Sequence, residues 1–120
     1  LLPALVACAD GTLREEHVRW KREAAVCVVM AAGGYPGAYP KGDPILGLAE
    51  ANALPGVVVF HAGSRLQAGQ VVTDGGRVLG VTATGHELRQ AVTRVYDATA
   101  RIRFAGGHYR KDIAWRALKP

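Results

Sequence analysis

Along these 120 residues the apolar positions come in short runs, each cut off by glycine or proline. The longest covers residues 24–32, AAVCVVMAA, with no charge and no polar alternation. Val26, Val28 and Val29 are β-branched and stiff at χ1, which favours strand over helix. An apolar run of this length without alternation predicts a strand covered on both faces, hence a central one, with Cys27 buried in it as a small hydrophobe. Gly33, Gly34, Tyr35, Pro36 and Gly37 end the run. Glycine permits a close backbone approach, and proline pushes the residue before it towards extended backbone. The expected product is a rigid loop with one aromatic at its tip.

A second apolar run, residues 57–61, stops at Ala62 and Gly63. Residues 66–73 read as a hairpin turning at Ala68-Gly69, Asp74-Gly75 as a tight turn, and residues 77–82 as the return strand. Leu88, Val92, Val95, Thr99 and Ile102 recur at alternating spacings of four and three, which predicts a helix over about residues 86–101. Thr84 and Glu87 supply a capping-box pattern ahead of it. At the other end, residues 1–9 suit a helix with Pro3 in its first turn and a stop at Asp10-Gly11. Thr12 and Glu15 form a weaker capping-box pattern, and residues 18–20 suit a short strand. Residues 45–53 are ambiguous, because Gly47 weakens a helix that Leu46, Leu48, Ala49 and Ala53 could pack. Residues 109–118 suit an amphipathic end packed on the sheet. Short strands joined by tight turns, with one main helix, give an α+β class built on a small antiparallel sheet.

Composition narrows the partners. The length allows one core, and 49% hydrophobic with 21% charged residues is ordinary for a globular chain. The net charge of +5 comes from scattered basic residues with no run of five like charges, so a nucleic-acid partner is not expected. No apolar run reaches the roughly 20 residues of a membrane span, so no membrane association is expected either. Cys8 and Cys27 show no metal-ligand spacing, and two free thiols suit a reducing, cytoplasmic setting. Leu1 is not methionine, and the chain is expected to be a piece whose first residues belong to an element beginning upstream.

No P-loop, nucleophile elbow or dinucleotide fingerprint is present; Gly33-Gly34 and Gly37 lead into prolines, not into a helix. His61 at a strand end serves as a structural residue or as a donor to a substrate oxygen. Gly75, Gly76 and Arg77 form a plain hairpin turn, or offer a guanidinium and backbone N–H groups to a phosphate or carboxylate. Arg110 and Asp112 read most simply as a surface ion pair. If the loops 33–37, 62–64 and 75–77 share one edge of the sheet, they enclose a concavity ringed by Tyr35, His61 and Arg77, suited to an anionic small molecule.

Five motifs then stand together in order. They are Val28-Val29-Met30-Ala31-Ala32-Gly33-Gly34-Tyr35-Pro36-Gly37, Lys41-Gly42 with Pro44-Ile45 and Gly47-Leu48, Val59-Phe60-His61-Ala62-Gly63, Gly75-Gly76-Arg77-Val78-Leu79-Gly80-Val81, and Tyr109-Arg110 with Asp112-Ile113. Together they resemble the C-terminal domain of the phosphoribosylamine–glycine ligase family, over essentially the whole chain. The resemblance implies a barrel-sandwich-hybrid-like domain similar to the closing domain of biotin carboxylase. It implies an ATP-grasp ligase of purine biosynthesis that joins glycine to 5-phosphoribosylamine through a glycyl phosphate, using ATP and Mg²⁺ or Mn²⁺. The nucleotide clamp and metal carboxylates of that family lie upstream, so no catalytic or metal-binding residue is expected here and the piece alone should be inactive. Residues 1–17 would end the ATP-grasp core and residues 18–120 would form the domain that helps wall the substrate cleft. Substrate contacts are expected at Gly33, Gly34, Tyr35, Pro36, Gly37, His61, Ala62, Gly63, Gly75, Gly76 and Arg77. Assigning Arg77 to the phosphate rests on its charge and its loop. Two departures stand out: Ala114 where the family has glycine, which puts a tight turn there in doubt, and Ser64 in place of threonine.

Rival readings stay open. One is a stand-alone binding module for an anionic, phosphorylated small molecule. Another is a prosthetic-group carrier, which needs a lysine displayed on a tight hairpin; neither the Ala68-Gly69 nor the Asp74-Gly75 turn has one.

Overall fold

A computed structural model describes residues 1–119. Its organising element is β5 (Arg77–Gly85), which pairs antiparallel with β1 (Ala24–Ala31) on one side and β2 (Val57–His61) on the other. Residues 24–31 therefore form an edge strand of the sheet, not its central one. They also bury only one face: Val26, Val28 and Met30 point inward, while Ala25, Cys27 and Val29 point out. The alternation is real but hidden, because the outward positions carry apolar residues. Cys27 is exposed. Leu79, Val81 and Ala83 of β5 and Val57 and Val59 of β2 complete the inward face.

The helix that covers this face is α3 (Leu88–Arg101). Ala91, Val95, Ala98 and Thr99 are its buried stripe, and the Thr99 hydroxyl donates to the Val95 carbonyl at 2.6 Å. The Thr84–Glu87 capping box does not form. Thr84 stays in β5 opposite Ala25, and the His86 N–H donates to Gln90 Oε1 at 2.9 Å instead. Residues 45–53 resolve into a short α2 (Leu48–Asn52). Asn52 Oδ1 accepts the Val59 N–H at 3.0 Å, which gives the free edge of β2 a partner.

β3 (Ser64–Gln67) and β4 (Gln70–Thr73) form a separate two-stranded hairpin with Ala68 and Gly69 at its tip, both at positive φ. The loop after β1 is stitched to this hairpin. Gly42 N–H donates to the Thr73 carbonyl at 2.7 Å and Asp43 N–H to Thr73 Oγ1 at 3.0 Å. The tail, residues 109–119, forms no helix or strand, yet Ile113 and Ala114 pack on the core. The Tyr96 hydroxyl on α3 donates to the Arg110 carbonyl at 2.9 Å and accepts the Ile113 N–H at 3.0 Å, tying the tail down.

The N-terminal helix α1 (Leu2–Ala9) is present as expected and ends at Asp10. It packs mainly on a 3-10 turn at Glu15–His17 and leaves Leu1, Leu2, Leu5 and Val6 exposed. That turn is capped by the Arg14 N–H donating to His17 Nδ1, not by Thr12. Residues 18–20 form no strand among the described residues, and Trp20 is 89% exposed. No helix in the described residues is long and apolar enough to cross a membrane.

Candidate functional site

Sheet register sets the site. On the open face, opposite α3, Val29 of β1 and Phe60 of β2 lie on either side of Gly80 of β5. Period-two alternation puts Phe60 and Ala62 on this face and turns His61 to the other side. The result is a cavity of about 500 Å³. Leu79 and Gly80 form its floor, Val29, Phe60 and Ala62 its walls, and Tyr35, Gly76 and Arg77 its rim.

Three loops meet at this rim through backbone contacts. Gly63 N–H donates to the Arg77 carbonyl at 2.8 Å, and Asp74 N–H donates to the Gly63 carbonyl at 2.7 Å. A side chain at Gly63 would meet Gly75 Cα at 2.6 Å, so both positions require glycine. Ala32 N–H donates to the Gly76 carbonyl at 2.8 Å, and a Cβ at Gly76 would overlap the Tyr35 ring. Glycine is thus the means by which the loops after β1 and β2 reach the turn before β5.

The expected contact residues divide accordingly. Tyr35, Ala62, Gly76 and Arg77 line the cavity. Gly63 and Gly75 hold the loops together behind it. Gly33 packs against the backbone of Gly106, while Gly34 and Gly37 close the loop on itself. Pro36 lines a neighbouring hollow of about 410 Å³ with Cys27, Tyr109 and Ile113, and Tyr35 and Arg77 form the ridge between the two. His61 lies outside the first cavity, with Nδ1 2.8 Å from Ser64 Oγ. Val29, Phe60, Leu79 and Gly80 line it although their letters carry no polar chemistry. The one available signal was Gly80, an isolated glycine inside a strand pattern.

The charge at the rim is positive. Asp74 is flanked by Lys41 Nζ at 3.4 Å and Arg65 Nε at 3.6 Å, leaving Arg77 without a carboxylate partner among the described residues. Further round, Arg110 and Asp112 form a two-pronged pair, Nε–Oδ1 2.9 Å and Nη2–Oδ2 2.7 Å. The hydrogen bond from Arg110 holds the Asp112 carboxyl below the usual carboxylate range and raises the guanidinium in turn. No three His, Cys, Asp or Glu side chains among the described residues are grouped as metal ligands. The cavity can therefore hold an anion and a compact apolar-faced body beside it.

Residues 25–116 match the family described as phosphoribosylglycinamide synthetase, C domain. The phosphoribosylamine–glycine ligase of Synechocystis sp. is 52% identical over 95% of the chain, which spans 27% of that protein. The chloroplastic phosphoribosylamine–glycine ligase of Arabidopsis thaliana is 49% identical over 99% of the chain and 23% of its own length. The crystal structure of the Thermotoga maritima phosphoribosylamine–glycine ligase superposes on 92% of the chain and 26% of its own length, with TM-score 0.76 and 33% identity. The chain thus spans about a quarter of the length of these relatives. Matched in sequence over 92 residues and in structure over nearly all of its length, it belongs to the phosphoribosylglycinamide synthetase C-domain family.

Proposed function

We propose that this chain is the cleft-walling C-terminal part of a phosphoribosylamine–glycine ligase, acting in purine biosynthesis within the cytoplasm. The upstream ATP-grasp part supplies ATP and Mg²⁺ or Mn²⁺ sites, since the cavity here has no carboxylate in its lining and does not fit a metal. Glycine and 5-phosphoribosylamine are the substrates. The observation that carries this is the meeting of Tyr35, Gly76 and the carboxylate-free Arg77 at one cavity, in a chain of this family.

Arg77 contacts the substrate phosphate. A charged hydrogen bond of this kind contributes about 1.5–3 kcal/mol. The phosphate does not react, so this binding energy serves to place the amine rather than to drive the chemical step. α1 serves as the last helix of the upstream core. Its residues are apolar all round, and such a helix is ordinarily buried; in this chain Leu1, Leu2 and Leu5 are exposed.

Reconstitution tests the proposal. The upstream part is produced separately and mixed with this chain. ADP release requiring glycine, freshly generated 5-phosphoribosylamine and both proteins is the expected result. Arg77→Ala should lower kcat/KM for 5-phosphoribosylamine by about 10- to 100-fold. Silence from two folded, associated parts would overturn the assignment.

A further inference from the structure

We propose that Gly80 is a specificity-determining residue, whose missing side chain leaves the trough that seats the pentose ring of a phosphorylated sugar. This deepens the assignment above and rests on it.

The starting point is that the fold does not need glycine at this position. A Cβ added at Gly80 would lie 3.4 Å from Cys27 Sγ and 3.9 Å from Phe60 Cβ, which is ordinary van der Waals contact. Its φ lies outside the left-handed region. Gly63 and Gly76 differ sharply, since a Cβ there would overlap backbone or the Tyr35 ring. Glycine also weakens a central strand, lacking a side chain to pack. Local stability therefore favours a larger residue at position 80, and the reason for glycine lies in what covers it.

What covers it must suit its surroundings. Val29 is 45% and Phe60 57% exposed on either side, giving two apolar walls about a bare floor. Arg77 lines the same cavity. Beside it lies Gly76, which lines the same cavity and whose N–H has no backbone carbonyl acceptor among the described residues. A ligand with a compact C–H-bearing face and a terminal phosphate fits both halves: the ring lies over Gly80 between Val29 and Phe60, and the phosphate meets Arg77. An apolar segment of protein would satisfy the trough and leave Arg77 unused.

The test uses the full-length enzyme that contains this domain, with ribose 5-phosphate and inorganic phosphate as probes in titration calorimetry. Gly80→Ala should melt at or above the wild-type temperature. It should weaken ribose 5-phosphate by about 5- to 100-fold, the range expected of a methyl group forced into a filled space. Gly80→Val should weaken it further, and inorganic phosphate should stay within about twofold for both. Unchanged ribose 5-phosphate affinity in a folded Gly80→Ala overturns the proposal. So does a fall in melting temperature with ribose 5-phosphate affinity intact, which would mean that glycine is kept there for packing and not for the ligand. Arg77→Ala separates the two levels. It should weaken both probes; if it weakens neither while Gly80→Ala still discriminates, the phosphate assignment of Arg77 fails and the trough stands.

Discussion

Replacing Gly63 with alanine tests whether the rim of the cavity is held by backbone touching backbone. The added methyl would lie 2.6 Å from Gly75 Cα, 2.7 Å from the Arg77 carbonyl oxygen and 2.9 Å from Gly75 N. None of these atoms is the end of a flexible side chain. Reaching an ordinary contact of 3.4 Å requires the two segments to part by about 0.8 Å. The Gly63–Arg77 and Asp74–Gly63 hydrogen bonds, now 2.8 and 2.7 Å, then stretch to about 3.5 Å or more, past useful hydrogen-bond length. At about 1 kcal/mol each, the loss is ~2 kcal/mol. Alanine stiffens the unfolded chain and returns about 0.4–1 kcal/mol. The net destabilisation is about 1–2 kcal/mol. With an unfolding entropy of about 0.25 kcal/mol/K for a chain of this length, Tm falls by about 4–8 °C. Gly80→Ala is the matched control, because its methyl meets no atom closer than 3.4 Å. Urea melts of both variants, followed by circular dichroism, provide the assay. A Gly63→Ala midpoint at or above that of Gly80→Ala would refute the idea that backbone contact fixes the rim.

Three further outcomes follow from other parts of the structure. Ala114 sits at φ +65, a conformation that costs a side-chain-bearing residue about 1–2 kcal/mol. Ala114→Gly should therefore raise stability by about 0.5–1 kcal/mol after the unfolded-state cost, read as a higher urea midpoint. Tyr96→Phe removes both hydrogen bonds that pin the tail and should cost about 1–2 kcal/mol, with faster hydrogen exchange at the Ile113 amide as its local sign. Asp112 titrates below its usual range because Arg110 hydrogen-bonds its charged form. A carboxyl lowered by folding contributes stability that is present above its unfolded pKa of about 3.9 and is lost as pH falls through the lower folded value. A carbon-13 titration should place the Asp112 midpoint below about 3.9, and Arg110→Gln should move it back up towards that value.

Legibility in the sequence followed how much of each feature is local. The α3 stripe was readable because Leu88 and Val95 stand beside the charged Arg89 and Arg94 and recur at helical spacing with Thr99. The β3–β4 hairpin was readable from Ala68-Gly69, where a two-residue turn needs positive φ. The position of β1 was not. Its outward residues, Ala25, Cys27 and Val29, are themselves apolar, so an alternating strand looked like a doubly covered one. Two capping patterns had the right spacing and did not form: at Thr84 the pairing of β5 with β1 outweighed what a cap contributes, and near Thr12 the turn begins later and is capped at Arg14 by His17. The loops were legible as glycine-rich and their meeting was conjectured. What could not be read was which strand residues they would meet, because that depends on register between strands distant in sequence. Hence His61, the polar letter at the strand end, drew notice, whereas Phe60 beside it lines the cavity.

The two faces of the sheet divide the work of the chain. Val28, Val81, Val95 and Ala98 are wholly buried on the α3 side, and removing a methyl there leaves a cavity and costs stability. On the open side Val29, Val58 and Phe60 remain exposed, at 45%, 49% and 57%, so the isolated domain loses little when they change. This separation gives substitutions around Gly80 and Arg77 a clear meaning. A loss of binding there with an unchanged melting curve reports on the ligand and not on the core. The exception is the rim, where Gly63, Gly75 and Gly76 join loops from three strands and one methyl disturbs fold and site together. The rim glycines are therefore constrained by the fold, whereas the constraint on Gly80 comes from what lies above it.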